Sequence, residues 1–318
     1  MKNLFNVLVP VSLLALSGCT KSFYTNIQPG HRNMIVNVAV SAGLSGQQPA
    51  ISAADPYSDA AFNNEPTPLA NGFAHNDYRH KRPLFEALEN GFINIEADIF
   101  LKNNKLIVAH ILPYFKGSKT LEALYLQPLF DRVVKNNGKV FRSYDKQVTL
   151  MIDIKTGAEK TYNALKALLE KFRPMLTSYD NGQVIYRAVT IIISGNKPYA
   201  AIKNEQHRLA FIDKDLRKVT NDSLNNNVFS MASCKYSSLL SWDGNGSLPA
   251  IQKSKLCAVV AMAHKMGVKV RLWASPEKKA VWNELLSCGV DLINTDRLAD
   301  LKNYLTMPVG RDLYSTIL

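Results

Sequence analysis

The feature that most limits the fold of this 318-residue chain is a regular alternation of apolar, strand-like segments with helical segments from Gly72 onward. Continuous Val/Ile/Leu-rich strands separated by helices are typical of a parallel sheet that is covered on both faces. Eight such units in about 240 residues predict a (β/α)8 TIM barrel. The strand positions are Gly72–His75, the pair Phe92–Ile99 and Lys105–Ala109 counted once, and the segments VTLMIDIK, AVTIIIS, LAFID, VFSMAS, VKVRLWA and VDLINT.

A doubly wound open sheet is the main alternative to the barrel. It is weakened because neither a GxGxxG motif nor a P-loop follows the first strand. Hydrophobic residues make up 47% of the chain and charged residues 20%, which is enough apolar material for a full core.

The N-terminus predicts export. A lysine precedes the apolar run LFNVLVPVSLLAL, which is too short to span a membrane, and small residues lead to Cys19 in LSGC. We interpret residues 1–18 as a bacterial lipoprotein signal peptide and Cys19 as the lipidated membrane anchor. Residues 19–70, rich in Ser, Asn, Gln, Ala and Pro, are predicted to be a tether, and residues 71–318 the barrel. The expected location is therefore the periplasm or the cell surface.

The charge of the chain limits the kinds of partner that it can bind. The net charge is +12, but lysine and arginine are scattered, with no dense basic helix. We expect a general attraction to anionic small molecules or lipid surfaces and no nucleic-acid binding.

Beyond Cys19, the widely spaced Cys234, Cys257 and Cys288 lack a metal-binding spacing. One disulfide is an alternative, but three buried free thiols are expected.

Two acidic residues interrupt an apolar strand in the segment INIEADIF. Glu96 and Asp98 are two residues apart, so their side chains point to the same face of the strand. Burying two like charges together is costly unless a cation compensates them. The pair therefore indicates a site for a hard divalent cation, Mg²⁺ or Ca²⁺; exposed acids on an edge strand are the alternative.

Two histidines flank this acidic strand. His75 ends the first strand, and His110 ends the return of the hairpin, where barrel active sites are built. Such a pair can act as general base and general acid. Asp153 and Lys155 repeat the two-residue spacing at the end of the next strand. Asp153 is a candidate third metal ligand, and Lys155 a candidate phosphate contact, unless the two form a simple ion pair.

Two later strand ends leave their interpretation open. Trp273 is either core packing or a wall of the substrate site. Asp296 is expected to cap the helix that follows it.

These motifs together resemble the glycerophosphodiester phosphodiesterase family, within the wider group of barrel phosphodiesterases that includes phosphatidylinositol-specific phospholipase C. The resemblance covers about Gly72 to Leu305. It is carried by AHNDY, ALENGFINIEADIFLKNNKLIVAH, LMIDIK, VRLWA and GVDLINTDRLADL. It implies cleavage of phosphodiesters through a cyclic phosphate. The implied roles are an acid–base pair, His75 and His110, three metal ligands, Glu96, Asp98 and Asp153, and a phosphate contact, Lys155. Asn76 and Trp273 are further candidate substrate contacts.

The chain departs from the family pattern at three points. Family members usually have His-Arg-Gly at the first histidine, where this chain has His75 and Asn76. The second histidine is usually followed by Asp, here replaced by Ile111, and the third acid is usually Glu, here Asp153. Without the family's arginine, phosphate binding depends on the metal, on Lys155 or on the basic run Arg79–Arg82.

The leading hypothesis is a metal-dependent phosphodiester hydrolase acting on a glycerophosphodiester or a phospholipid head group. A metal-independent lyase of the phospholipase C type is the first alternative. It is disfavoured because three acids without a cation would repel each other and the phosphate. A non-catalytic ligand-binding lipoprotein is the second alternative. The oligomeric state is not predicted.

Overall fold

The barrel expected from the sequence is present. The computed structural model describes residues 65–111, 119–219 and 227–307 of the chain. Nine strands form its main sheet, and the first and second barrel strands also pair, which closes the sheet. One of the nine is antiparallel, so eight parallel strands form the barrel. They are β1 (Gly72–Ala74), β2 (Asn94–Lys102), β3 (Val148–Ile154), β4 (Val189–Gly195), β5 (Ala210–Asp215), β6 (Phe229–Lys235), β7 (Lys269–Trp273) and β8 (Leu292–Thr295).

Helices connect most of these strands on the outside. In the described ranges they are α1 (Phe85–Glu89), α2 (Gln127–Lys135), α3 (Ala158–Glu170), α4 (Tyr199–Asn204), α5 (Ala250–Lys265), α6 (Lys279–Ser287) and α7 (Leu298–Thr306). A π-helical segment, Glu122–Leu126, leads directly into α2. The described part of the β5–β6 connection holds only a 3-10 turn, Leu216–Lys218.

The inside of the barrel changes from apolar to polar along the strands. Phe73, Met151, Ile192, Met231 and Leu292 form one buried cluster. Two residues further along each strand, on the same face, the side chains are polar. These residues are His75, Asp153, Ser194, Ser233 and Asn294. The apolar layer therefore forms the floor beneath a polar mouth at the carboxyl ends of the strands.

A hairpin returns the chain from β2 to this mouth. The antiparallel return strand, Lys105–Val108, pairs with the end of β2. Its turn holds Asn103 and Asn104 at φ of 48° and 58°, a left-handed conformation that asparagine tolerates better than most residues. The turn places His110 beside the strand that carries the acidic pair.

A second, three-stranded antiparallel sheet was not predicted. Its strands are Ser178–Asp180, Gln183–Ile185 and His207–Arg208. The Arg208 guanidinium carbon lies 3.7 Å from the centre of the Tyr179 ring. The strands are too short to give a periodic signal in the sequence.

The expectation of three free thiols is wrong. Cys257 on α5 and Cys288 at the end of α6 form a disulfide, whereas Cys234 is buried and free. The two paired cysteines are 31 residues apart in the chain. They meet because the barrel places their helices side by side, which their spacing alone does not reveal.

The last residues of the predicted tether contact the barrel. The Glu65 carboxylate accepts hydrogen bonds from the backbone N–H groups of Arg142 and Ser143 at 2.7 and 2.9 Å. Leu69 is buried and forms a bridge with Phe92. The predicted signal peptide, Cys19 and the rest of the tether lie outside the described residues. No helix of the described ranges has the length and apolar character needed to cross a bilayer.

Candidate active site

Three carboxylates meet at the carboxyl ends of β2 and β3. The register pairs Asp98 directly with Asp153, and Glu96 precedes Asp98 on the same face. One oxygen from each of the three side chains lies within 4.8 Å of the others. Glu96 and Asp98 are almost fully buried, at 3% and 2% exposure. The expected convergence of these acids is therefore present, and oxygen ligands of this kind suit Mg²⁺ or Ca²⁺.

Two basic side chains offset this carboxylate cluster. Lys155 Nζ lies 3.1 Å from Asp98 Oδ2 and 3.2 Å from Asp153 Oδ1. Arg271 Nη1 lies 3.4 Å from Glu96 Oε1. The sequence predicted a role for Lys155 but none for Arg271, although Arg271 lies in the family motif VRLWA. Each of the three acids therefore has a cationic partner within the protein.

Burial and charge compete at this cluster. Burial raises the pKa of Asp153, Lys155 opposes this increase, and Asp98 and Glu96 add to it. Burial acts to lower the pKa of Lys155, but the charges of Asp153 and Asp98 outweigh it, so the pKa is raised. Lys155 thus stays protonated while it remains between the two acids.

His75 lies between two carboxylates. Its Nδ1 is 2.7 Å from Asp296 Oδ1, and its Nε2 is 3.5 Å from Glu96 Oε2. Although burial acts in the opposite direction, the hydrogen bond and charge of His75 lower the pKa of Asp296. Asp296 therefore orients the imidazole so that Nε2 faces the carboxylate cluster.

The expectation that Asp296 caps the last helix is wrong. Its carboxylate accepts hydrogen bonds from the site, while the backbone N–H of Arg297 donates to Thr295 Oγ1 at 2.8 Å. No side chain caps α7. The signal that could have identified Asp296 is its place at a strand end of the same barrel mouth as His75.

Tyr78 connects the second histidine to the cluster. Its hydroxyl lies 2.7 Å from Asp98 Oδ2, 2.7 Å from Asn76 Oδ1 and 2.9 Å from His110 Nδ1. His110 Nδ1 is also 3.4 Å from Asp98 Oδ2. Burial raises the pKa of the Tyr78 hydroxyl, and the neighbouring Asp98 raises it further. Tyr78, which sequence reasoning did not single out, therefore acts as a fixed hydrogen-bond donor.

Asn76 is held inside the site. Its backbone is left-handed, with φ 49° and ψ 36°, and its side chain is buried. The amide nitrogen donates to Asp296 Oδ1 at 3.2 Å, and the amide oxygen accepts from Tyr78. Both ends of the amide are therefore used in joining the surroundings of the two histidines.

Asp77 is buried under the turn that follows His75 and stabilises it. It is fully buried, and its carboxylate accepts hydrogen bonds from the Leu84 N–H at 2.5 Å and the Tyr125 hydroxyl at 2.8 Å. Leu84 has an unusual positive φ of 67°. Burial raises the pKa of Asp77 to about 6. Nothing in the sequence distinguished this residue from an exposed loop acid.

The opposite wall of the barrel carries a second buried polar group. The Arg271 guanidinium carbon lies 4.2 Å from the centre of the Phe73 ring. Asp213 on β5 accepts a hydrogen bond from the Ser233 hydroxyl on β6. Burial raises the pKa of Asp213, and the charge of Arg271 opposes that increase.

The remaining predicted contacts lie at the rim. Trp273 is 38% exposed at the end of β7, with Lys235 Nζ 6.0 Å from the centre of its ring. In the basic run, Arg82 pairs with Glu89. Arg79 and Lys81 are exposed at the surface.

Two family models match two separate stretches of the sequence. Residues 62–213 match the AIM6-like phosphodiesterase domain, and residues 269–299 match the glycerophosphoryl diester phosphodiesterase family. Among solved structures, phosphatidylinositol-specific phospholipase C from Listeria monocytogenes has a TM-score of 0.36 and 10% identity, covering 76% of this chain and 91% of the other.

Several similar curated proteins are fungal. Altered inheritance of mitochondria protein 6 from Eremothecium gossypii is 28% identical over 71% of this chain and 67% of its own length. The protein of that name from Lachancea thermotolerans is 27% identical, over 72% of this chain and 64% of the relative. The homolog from Arthroderma benhamiae is 26% identical, over 81% of this chain and 95% of the relative.

These relatives contradict the predicted location. They are fungal proteins named for inheritance of mitochondria, not bacterial lipoproteins, so the prediction of a membrane-anchored bacterial lipoprotein is wrong. That prediction depended on a short motif at Cys19, far from the matched barrel. The two family matches show that this chain is similar to phosphodiesterase domains, over residues 62–213 and 269–299.

Proposed function

We propose that the chain cleaves phosphodiesters at the mouth of its barrel, with His75 and His110 as the acid–base pair. The observation that carries the proposal is that each histidine has a ring nitrogen within 3.5 Å of a different acid of one buried carboxylate cluster. A paired base and acid on either side of a cation site is suited to moving protons to and from phosphate oxygens. The proposed substrate is a glycerophosphodiester or a phospholipid head group.

The proposal includes a divalent cation, Mg²⁺ or Ca²⁺, held by Glu96, Asp98 and Asp153. The donor set fits such an ion, because all three ligands are carboxylates within 4.8 Å of one another and two are buried. A bound cation would polarise a phosphoryl oxygen and lower the pKa of the attacking hydroxyl.

The histidines carry the proton transfers. Because Asp296 occupies Nδ1 of His75, Nε2 is the nitrogen that takes the proton from the attacking substrate hydroxyl. As that oxygen bonds to phosphorus, the bond from phosphorus to the leaving oxygen breaks and His110 protonates the leaving group. Water then opens the cyclic phosphate by the reverse proton transfers.

The other residues bind and orient. In this proposal Lys155 contacts a phosphate oxygen; its position beside two of the acids and its partial exposure support this role. Asn76 positions the two histidine environments through its buried amide. Trp273 forms a wall for the substrate at the rim.

A metal-independent lyase is the second candidate, and one observation favours it. Lys155 already lies against Asp98 and Asp153, and Arg271 lies against Glu96. These side chains reduce the repulsion among the three acids that disfavours a site without a metal ion. The two candidates differ in whether turnover requires a bound divalent metal ion.

Chelation separates the two candidates. The full chain is assayed on glycerophosphocholine and on phosphatidylinositol, in EDTA and with added Mg²⁺ or Ca²⁺. The hydrolase predicts activity that is lost in EDTA and restored by one of the ions. Full activity in EDTA, with a cyclic phosphate as the final product, would establish the lyase instead. Ligand binding without any turnover would reject both.

The acid–base role is tested by replacing His75 with glutamine. Turnover should fall by about 100-fold or more if His75 transfers a proton. His264→Gln is the matched control, because His264 forms a similar pair with Asp291 away from the mouth, at 2.8 Å. Equal rates for the two variants would remove His75 from the mechanism.

A further inference from the structure

Arg271 differs from the other cation of the carboxylate cluster in its burial. Arg271 has a side-chain exposure of 4%, whereas that of Lys155 is 31%. A partly exposed lysine on a flexible stem can move away when a cation or a phosphate arrives. Arg271 lies beneath the mouth and has no such route to solvent, so its charge is a permanent part of the site.

Packing inside the barrel holds Arg271 in place. Its guanidinium packs over Phe73 on β1, and the buried carboxylate of Asp213 belongs to β5. Ser233 donates a hydrogen bond to Asp213, which fixes that carboxylate. Arg271 on β7 is thus a buried cation that faces Glu96 on β2.

Asp213 does not fully compensate the positive charge of Arg271. Within the described residues, Arg271 Nε and Asp213 Oδ1 are both buried and make no hydrogen bond. The guanidinium instead meets the carboxylate of Glu96, with 3.4 Å between Nη1 and Oε1. Breaking a buried ion pair by removing one partner leaves an uncompensated charge, which is strongly unfavourable.

We infer that Arg271, packed over the Phe73 ring, is the built-in counter-ion of Glu96 and competes with a divalent cation for the carboxylate cluster. This inference rests on the cation site of the proposed function. Its consequence is a weakened and therefore exchangeable metal site, because a fixed positive charge near the ion opposes binding. Arg271 is a positioning residue in this scheme and does not touch the substrate.

The inference predicts opposite effects for two charge changes. Arg271→Met removes the fixed cation, so Mg²⁺ affinity measured by titration calorimetry on the full chain should rise by about 10-fold or more. Asp213→Asn removes the charge that offsets Arg271, so Mg²⁺ affinity should fall by a few-fold, about 3- to 10-fold. Arg271→Lys keeps the charge and should stay close to the unchanged chain. A purely structural role for Arg271 predicts that Arg271→Met binds Mg²⁺ equally or more weakly, not more tightly.

Thermal unfolding provides a second readout that does not depend on activity. In EDTA, Arg271→Met should melt at a lower temperature than the unchanged chain. Added Mg²⁺ should raise the melting temperature of Arg271→Met by more than it raises that of the unchanged chain. Arg208→Met is the matched control. Arg208 is equally buried, but its guanidinium bonds the backbone carbonyls of Glu205 and Asn227, away from the mouth. Its loss of stability should not respond to Mg²⁺.

Two results would overturn the inference. One is an Arg271→Met chain whose loss of stability is the same with and without Mg²⁺, as for Arg208→Met. The other is Mg²⁺ affinity that does not change, or changes with the same sign, in Arg271→Met and Asp213→Asn. If Arg271→Met does not fold, Arg271→Gln takes its place, and a Mg²⁺ affinity that does not rise in Arg271→Gln overturns the inference. Because neither measurement uses a phosphodiester, failure of the inference is distinct from failure of the proposed reaction.

Discussion

At the scale of single residues, the contact that defines His75 is the hydrogen bond to Asp296. A carboxylate at 2.7 Å from Nδ1 fixes the ring orientation and stabilises the imidazolium that forms when Nε2 takes a proton. Sequence position separates the partners by 221 residues, and only closure of β8 against β1 brings them together.

Asp296→Asn should therefore lower turnover without abolishing substrate binding. We expect kcat to fall by about 10- to 100-fold with little change in KM, since a partner that orients a reacting group typically has this effect. Asp291→Asn is the control, because Asp291 forms the corresponding pair with His264 outside the mouth. A change confined to KM would argue that Asp296 contacts the substrate instead.

Asp77 predicts a pH dependence of stability. Its pKa is raised from 3.8 to about 6 in the folded chain, so the folded state binds more protons than the unfolded state between these values. The free energy of unfolding therefore decreases as pH rises through this window, by about 3 kcal/mol for a shift of this size. Asp77→Asn lacks this contribution.

Urea unfolding of both chains at fixed pH values from about 4 to about 6.5 tests the assignment. The advantage of the unchanged chain over Asp77→Asn should shrink steadily as pH rises. Asp153 and Asp213, whose pKa values burial also raises, are present in both chains and cancel. Parallel pH curves would show that Asp77 is not the responsible group.

At the scale of elements, the end of β4 controls the position of Asp153. Gly195 has a φ of +67°, and a Cβ atom placed there would lie 2.1 Å from Asp153 Oδ1 and 2.6 Å from the Ile154 carbonyl oxygen. Backbone cannot yield as a flexible side chain can. The missing side chain of Gly195 is therefore what allows Asp153 to face the carboxylate cluster.

Gly195→Ala should displace Asp153 and reduce Mg²⁺ affinity by about 10-fold or more, as measured by calorimetry. Gly182→Ala is the matched control. Gly182 also has a positive φ, +92°, but a Cβ atom added there would have no neighbouring atom within 4 Å. Gly182→Ala should lose about 1 kcal/mol of stability to backbone strain, and Gly195→Ala should lose more because of the clash, but only Gly195→Ala should bind Mg²⁺ more weakly. Equal affinities would exclude Asp153 as a ligand.

The elements themselves were largely predictable, since their signals are local. Because side chains of a strand point alternately to its two faces, Glu96 and Asp98 could be assigned to one face. Proline, glycine and apolar runs marked most helices and strands. The roles of Asp296 and Arg271 were not predictable in the same way. Each depends on a partner brought near by barrel closure, and its residue type suits a helix cap or a surface charge equally well. The Cys257–Cys288 pair was missed for the same reason.

At the scale of the whole molecule, closure turns separate strand ends into one site. All eight barrel strands are parallel, so their carboxyl ends meet at one mouth. His75, Glu96, Asp153, Arg271 and Asp296 come from five different strands or the residues that follow them. Below the mouth, an apolar layer excludes water and strengthens the electrostatic interactions above it.

The net charge of +12 acts on the same site from a distance. An excess of positive charge attracts an anionic substrate and raises its rate of encounter, and dissolved salt screens this attraction. For an anionic phosphodiester such as glycerophosphoinositol, we expect kcat/KM to fall several-fold, about 3- to 10-fold, between about 20 and about 200 mM salt. The value of kcat at saturation should stay nearly constant, because the chemical step takes place behind the rim. Glycerophosphocholine, which carries no net charge, is the control and should show a much smaller decrease. An equal decrease for both substrates would mean that salt acts on the carboxylate cluster itself, and not on the approach of the substrate.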